Sequence, residues 1–175
     1  MKAETRAPQE WSHDDLERFE AFVKAAGEVE PTGLGNRIAH AVSLTLLREG
    51  SALIGSAAVK IPSAAYRRRV FQKAEAQLDD RRYNQELGWI AIHSEYRGQK
   101  LSRTVVDSAL ESIAPAPVFA TSRASNLPMH RTLERFGFAR VGRPYSSERS
   151  DEQLVLFVRD ARDTGAAKVG SSNVE

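Results

Sequence analysis

The sequence predicts an α/β fold, and two stretches carry most of that prediction. The first is Glu86 to Ser102, ELGWIAIHSEYRGQKLS. Leu87, Trp89, Ile90, Ala91 and Ile92 make a run short and β-favouring enough for one strand. A basic turn, Arg97-Gly98-Gln99-Lys100-Leu101-Ser102, follows, and then Val105, Val106, Ala109, Leu110 and Ile113 recur on one helical face. The second stretch reads as a hairpin: the runs Ala41 to Leu47 and Ser51 to Ile61, joined by Arg48-Glu49-Gly50.

The remaining elements fall around these two. Residues 1–11 hold a weak first strand. Ser12 opens a helix with the capping box Ser12-His13-Asp14-Asp15, its stripe is Leu16, Phe19, Phe22, Val23 and Ala26, and Gly27 ends it. Pro31 to Gly35 is a loop, and Asn36 to His40 a short helical turn. Between Pro62 and Asn84, Tyr66, Val70, Ala74 and Leu78 recur every fourth residue, predicting an amphipathic helix whose polar side carries Arg67, Arg68, Arg69 and Lys73. After the helix from Ser102 to Ile113, Ala114-Pro115-Ala116-Pro117 stops helical structure. Val118 to Thr121 is a buried strand, a helix runs from about Asn126 to Phe136, and Gly137 closes it. Phe138 to Gly142 and Glu152 to Arg159 are strands around a polar loop, Arg143 to Asp151. The expected organisation is one domain over 1–160, with an inserted helical lid over 62–84 and a mobile polar tail over 161–175.

Composition excludes several classes. With 175 residues, 41% apolar and 27% charged, the chain can bury a full core. A net charge of +2 does not by itself imply a nucleic-acid partner. The absence of cysteine removes disulfides, thiolate metal sites and an acyl-cysteine intermediate. Four histidines without paired spacing predict no metal site. No apolar run approaches the roughly 18 residues of a membrane span, and the N-terminus lacks a signal-peptide core, so a cytoplasmic protein with no membrane partner is expected.

Strand, basic turn and helix together form a device for holding a phosphate. The first turn of a helix has unpartnered N–H groups at the positive end of the dipole. Gly98 lets the backbone approach an anion, and Arg97 and Lys100 add charge. The run from Ile92 to Ser102 resembles the acetyl-CoA loop of the GNAT superfamily of N-acetyltransferases, written [RQ]-x-x-G-x-[GA]. Arg97 fills its first place, while Lys100 stands where the family has glycine and Ser102 where it has glycine or alanine. Asn126 to Phe138, NLPMHRTLERFGF, is similar to the second signature of that family: an asparagine near the helix start, a tyrosine seven residues later and a closing Gly-Phe.

The resemblance implies a central mixed, mostly antiparallel sheet flanked by helices on both faces, with acetyl-CoA as co-substrate where two strands part. It assigns Ile90, Ala91, Ile92, Arg97, Gly98, Gln99, Lys100, Leu101, Ser102 and Asn126 to cofactor binding, with a backbone N–H near Ile90 to Ile92 for the oxyanion. Asn126 would hold the pantetheine arm, and would serve equally well as a helix N-cap. Leu133 occupies the place of the tyrosine that protonates the departing thiolate, so the standard acid is missing. General acid catalysis is worth about 10²–10⁴ in rate. A lysine-like amine costs about 4.6 kcal/mol to neutralise at pH 7, which makes the base the harder requirement.

Glu86, at the head of the strand, is the candidate general base, acting through water. His130, on nearly the same helix face as Leu133, is the candidate acid, with Tyr145 a further one. The implied function is acetyl transfer to a primary amine of a small molecule or peptide by direct attack in a ternary complex, and the reading admits a homodimer. Two alternatives stand beside it. The arginines of 66–82 suggest a nucleic-acid-linked amine, on an aminoacyl-tRNA or modified base. Leu133 and Lys100 suggest a CoA-binding protein without catalysis.

Overall fold

The computed structural model describes residues 1–161 except Glu28 and Arg149, so the tail expected from 161 lies, beyond its first residue, outside the described residues. The strands are β1 (Lys2–Arg6), β2 (Ser43–Glu49), β3 (Ala52–Lys60), β4 (Glu86–Ile92), β5 (Val118–Arg123), β6 (Ala139–Ser146) and β7 (Gln153–Arg159). They form one sheet in the order β1-β2-β3-β4-β5-β7-β6. Every pairing is antiparallel except β4 with β5. The α/β class and the mixed, mostly antiparallel sheet are therefore as the sequence predicts.

Helices cover both faces. On one, α4 (Leu101–Glu111) and α5 (Leu127–Arg135) bury Val105, Val106, Ala109, Leu110 and Leu133 against Leu47, Ala57, Val59 and Leu87. On the other, α1 (His13–Ala25) and α2 (Leu34–Ala39) place Phe19, Val23, Leu34 and Ile38 over Leu44, Leu46 and Ala58. The same face carries α3 (Ala64–Lys73), whose Val70 and Phe71 pack on Phe119, Leu156 and Val158. Side chains at i and i+2 of a strand share a face, so each strand feeds both layers. The Ser12 hydroxyl accepts from the Asp15 N–H at 3.1 Å, capping α1 as its sequence indicates.

Several boundaries differ from expectation; α2 opens at Leu34, inside the expected loop 31–35, and three others bear on the site. The hairpin turns at Gly50-Ser51, where Gly50 has φ +58°, so Arg48 and Glu49 belong to β2. The helix expected from the four-residue repeat of Tyr66 to Leu78 stops at Lys73; Ala74 is its C-cap, and Leu78 is exposed beyond it. β6 reaches Ser146, because a register shift between Val141 and Tyr145 absorbs Gly142, Arg143 and Pro144 and pairing then resumes.

That shift also joins β6 to α3. Arg143 N–H donates to the Ala74 carbonyl at 2.7 Å, which caps the helix end from across the sheet. Gly142 has φ +66°, and a Cβ there would lie 2.0 Å from the same carbonyl oxygen. Gly142→Ala should combine the left-handed penalty with a backbone collision and cost about 2–4 kcal/mol. Thermal unfolding should register a fall of roughly 5–15 °C for a chain of this size. An unchanged midpoint would mean that α3 does not depend on this contact.

Candidate active site

β4 and β5 run parallel but share a single register pair, Glu86 with Phe119, reinforced by the Phe119 N–H donating to Gln85 O at 3.1 Å. Beyond it the strands part, and residues 88–92 of β4 are half-buried. A bulge sharpens the divergence. Gly88 pairs with Ala58 and Ala91 with Ser56, so Trp89 and Ile90 together oppose Ala57. Trp89 takes φ +49°, and Ser56 Oγ donates to its carbonyl at 2.8 Å. His93 N–H donates to Ile54 O at 2.9 Å on the β3 side. Backbone groups alternate along a strand, so Ile92 N–H points to the opposite edge, into the gap facing β5.

The mouth of this cleft is the turn after β4. Among the described residues, the backbone N–H groups of Gly98, Gln99, Lys100, Leu101 and Ser102 have no hydrogen-bond partner in the protein. Arg97 and Lys100 are exposed beside them. Five free donors at a helix start, flanked by two cations, make an anion cradle. Lys100, the N-cap of α4, has φ +62°, the conformation that glycine adopts without cost, which is why the resembling loop has glycine in this place. The Tyr96 hydroxyl donates to Glu49, tying the turn to the β2–β3 hairpin. On the facing lip, at the end of β5, Asn126 Oδ1 accepts from the Met129 N–H at 3.2 Å, so the N-cap role is in place and the side-chain amide donor is left over.

The closed end of the cleft is a polar cluster. Glu86 is 3% exposed; its Oε2 lies 2.8 Å from Lys60 Nζ, and its Oε1 accepts from the Tyr66 hydroxyl at 3.3 Å. Burial, followed by the negative charge of Glu86 and the neighbouring Tyr145, pushes the Tyr66 phenol far up. Burial and Glu86 likewise raise Tyr145, whose hydroxyl is buried without a partner. Both phenols therefore stay protonated at neutral pH. Lys60 reaches this place by crossing β4 at Gly88, where a Cβ would stand 2.6 Å from Lys60 Cε, and its ammonium lies 5.4 Å from the Trp89 ring centroid.

The structure thus brings Ile90, Ala91, Ile92, the turn 97–102 and Asn126 around one cleft, with Glu86 at its closed end. It does not bring His130 there as a free acid. His130 is buried rather than solvent-facing, its Nε2 donates to the Arg123 carbonyl at 2.9 Å, and its ring packs on Phe157. Leu133 lies in the core beneath the sheet. Lys60 and Tyr66 are the members that the sequence reading missed as chemistry. Tyr66 stood in an apolar stripe, and Lys60 gains its meaning only from the register that sets it opposite Glu86.

A sheet that parts between two parallel strands, beside a helix-start anion cradle, suits an extended ligand that carries phosphate at one end. The sequence profile of the acetyltransferase (GNAT) family matches residues 3–138. The chain belongs to that family: it is an acyltransferase, and the family uses acetyl-CoA. Solved structures agree on the fold. Escherichia coli ElaA superposes with TM-score 0.68 at 15% identity, over 91% of this chain and all of that one. An acyl-CoA N-acyltransferase from Pseudomonas aeruginosa gives 0.65 at 15% identity, over 90% and 98%. Arabidopsis thaliana NAA60, solved with a bisubstrate analogue, gives 0.63 at 18% identity, over 92% and 100%. No curated protein sequence matches the chain. No helix among the described residues is long and apolar enough to cross a membrane.

Lys100→Gly tests the strain in the cradle. Relief of the left-handed penalty, about 1–2 kcal/mol, is offset by about 0.4–1 kcal/mol of added unfolded-state entropy. The variant should therefore be more stable by about 0.5–1 kcal/mol in urea unfolding, and a loss of stability would show that the lysine side chain holds the turn.

Proposed function

We propose that the chain transfers an acetyl group from acetyl-CoA to a primary amine on a small molecule or peptide, by direct attack in a ternary complex within one domain spanning 1–160. The observation that carries this reading is the open β4 edge, which leads from the cradle at Gly98–Ser102 to a buried carboxylate at Glu86. The residues present fit the co-substrate. The free N–H groups of the turn suit its phosphates, Asn126 and the β4 edge suit an extended amide-bearing arm, and the pairing at Glu86–Phe119 stops the arm with its thioester at the bulge.

The chain's own groups then have distinct tasks. A β4 N–H at the bulge stabilises the oxyanion, a contribution worth about 10²–10³ for a well-placed donor. Glu86 takes the proton of the attacking amine through a water. Leu133, packed in the core, holds the position of the usual tyrosine, and a thiol of pKa ~8.5 leaves tolerably as thiolate without an acid. The wall formed by 62–84 bounds the acceptor side. Its cations are largely paired within the chain: Arg67 with Asp80 at 2.9 Å, Arg69 and Lys73 with Glu148, Arg81 with Asp79, and Arg82 with Asp160. That pairing favours a small amine or peptide over a nucleic-acid-linked acceptor, since cations already matched neutralise few phosphates.

A panel of amines, peptides and tRNAs, read by release of free CoA, tests the reaction; release of CoA with no amine or peptide accelerating it would sink the proposal. Two variants test the parts. Gly98 has φ +81°, which proline cannot adopt, so Gly98→Pro should weaken acetyl-CoA binding more than Arg97→Ala does. Calorimetry that ranks them the other way would relocate the anion site. Glu86→Gln should lower kcat/KM for the amine by roughly 10²–10⁴ with acetyl-CoA affinity nearly unchanged, and the loss should shrink as pH rises and the amine deprotonates unaided. A thermal melt of the same variant separates this from damage to the buried Lys60–Glu86 pair.

A further inference from the structure

We infer that Lys60 is itself an acetylation site, modified by the chain's own active site; the inference rests on the acetyl-CoA reading above. Three observations place its amine. Lys60 is directly opposite Glu86 in the β3–β4 register, so both side chains lie on the same face. Its side chain then runs along β4, with Nζ 2.8 Å from where a Gly88 Cβ would be, one residue before the bulge. And its ammonium is 2.8 Å from Glu86 Oε2, the carboxylate assigned to deprotonate the acceptor. The cleft closes at the Glu86–Phe119 pair, so a thioester inserted from the cradle ends at the level of Gly88 to Ile90. The first amine it meets is the chain's own.

Lys60 also differs from the other described lysines in its surroundings. Its side chain is 20% exposed, reachable from the groove yet held, whereas the Lys24 and Lys73 side chains are 45% and 37% exposed on helix surfaces. A held amine beside a base and an electrophile gains from proximity, provided the reacting atoms come within about 3–3.5 Å. The step balances as follows. Glu86 takes one proton from the Lys60 ammonium, and the neutral nitrogen attacks the thioester carbonyl carbon. The oxyanion rests on the β4 N–H, the C–S bond breaks, and CoA leaves as thiolate. The second nitrogen proton passes to the thiolate or solvent, and Glu86 releases the first. The products are a neutral Lys60 amide, free CoA and one proton. Glu86 keeps Tyr66 but loses its cation, so the modification changes the charge of the groove that receives external amines.

The test incubates the full chain with acetyl-CoA and no acceptor, and follows each lysine by peptide mass spectrometry. Lys60 should gain an acetyl group at least about tenfold faster than Lys2, Lys24, Lys73 or Lys100, at a rate independent of chain concentration. Glu86→Gln should slow that site roughly 10²-fold while leaving the surface lysines alone. Lys60→Arg should remove the modification and keep acetyl-CoA binding by calorimetry. If acetyl-CoA binds and Lys60 is modified no faster than surface lysines, the inference is overturned and the cofactor reading stands. A rate that rises with chain concentration identifies transfer between molecules and overturns the geometry argued here. Failure of acetyl-CoA to bind the wild-type chain removes both.

Discussion

Everything in this structure turns on two parallel strands that hydrogen-bond at one end only. Unpaired backbone groups inside a sheet are costly when buried, about 1–3 kcal/mol each. The divergence of β4 from β5 survives because residues 88–92 are only half-buried, so solvent satisfies their open edge. The bulge at Trp89–Ile90 turns β4 away from a continued ladder, and Ser56 holds the bulge by its carbonyl. From below, α4 packs on Leu87, Val59 and Ala57, fixing the strand that carries the open edge and the helix that follows it as one piece. The anion cradle and the edge are therefore positioned by the same packing, which is what a ligand spanning both requires.

The closed end of the cleft obeys a second constraint. Glu86 is buried, and a buried carboxylate needs partners. Lys60 supplies charge and Tyr66 a hydroxyl, and the two come from different elements: one from the strand beside β4, one from the helix above. This ties α3 to the site chemically as well as through its apolar contacts. Arg67 and Arg69 of α3 are engaged with Asp80 and Glu148, and the segment is thus a wall fastened at several points to the rest of the fold.

The sequence disclosed the parts of this site that are local along the chain. The strand, the turn at Arg97–Ser102 and the helix after it are contiguous, and periodicity plus one glycine suffices to read them. Even the departure at Lys100 was visible, although not that the lysine would adopt the glycine conformation. What stayed hidden depends on pairing. That Lys60 opposes Glu86 follows from a register that a bulge shifts by one, and no periodicity encodes which residue is the extra one. His130 read as a candidate acid because helix spacing gives a face but not what covers it, and Phe157 covers it while the Arg123 carbonyl accepts from its Nε2. Tyr66 was read as an apolar stripe residue, which is half right: its ring is packed in that stripe while its hydroxyl reaches the carboxylate.

The chemistry follows the same division. At the place of the usual acid the chain has Leu133, buried among Val105, Val106 and Phe138, so that position has been given to packing. Protonating a thiolate near its own pKa of ~8.5 is a small gain at neutral pH, whereas neutralising an amine of pKa ~10.4 is a difference of about 4.6 kcal/mol. A charge-bearing buried cluster lies at the closed end of the cleft, where Glu86, Lys60 and two protonated phenols meet. The held lysine has a consequence for any external amine. If Glu86 is the base, as proposed, an external amine meets a carboxylate that already has a cation against it, and must displace that cation, work around it, or arrive after its charge has been removed.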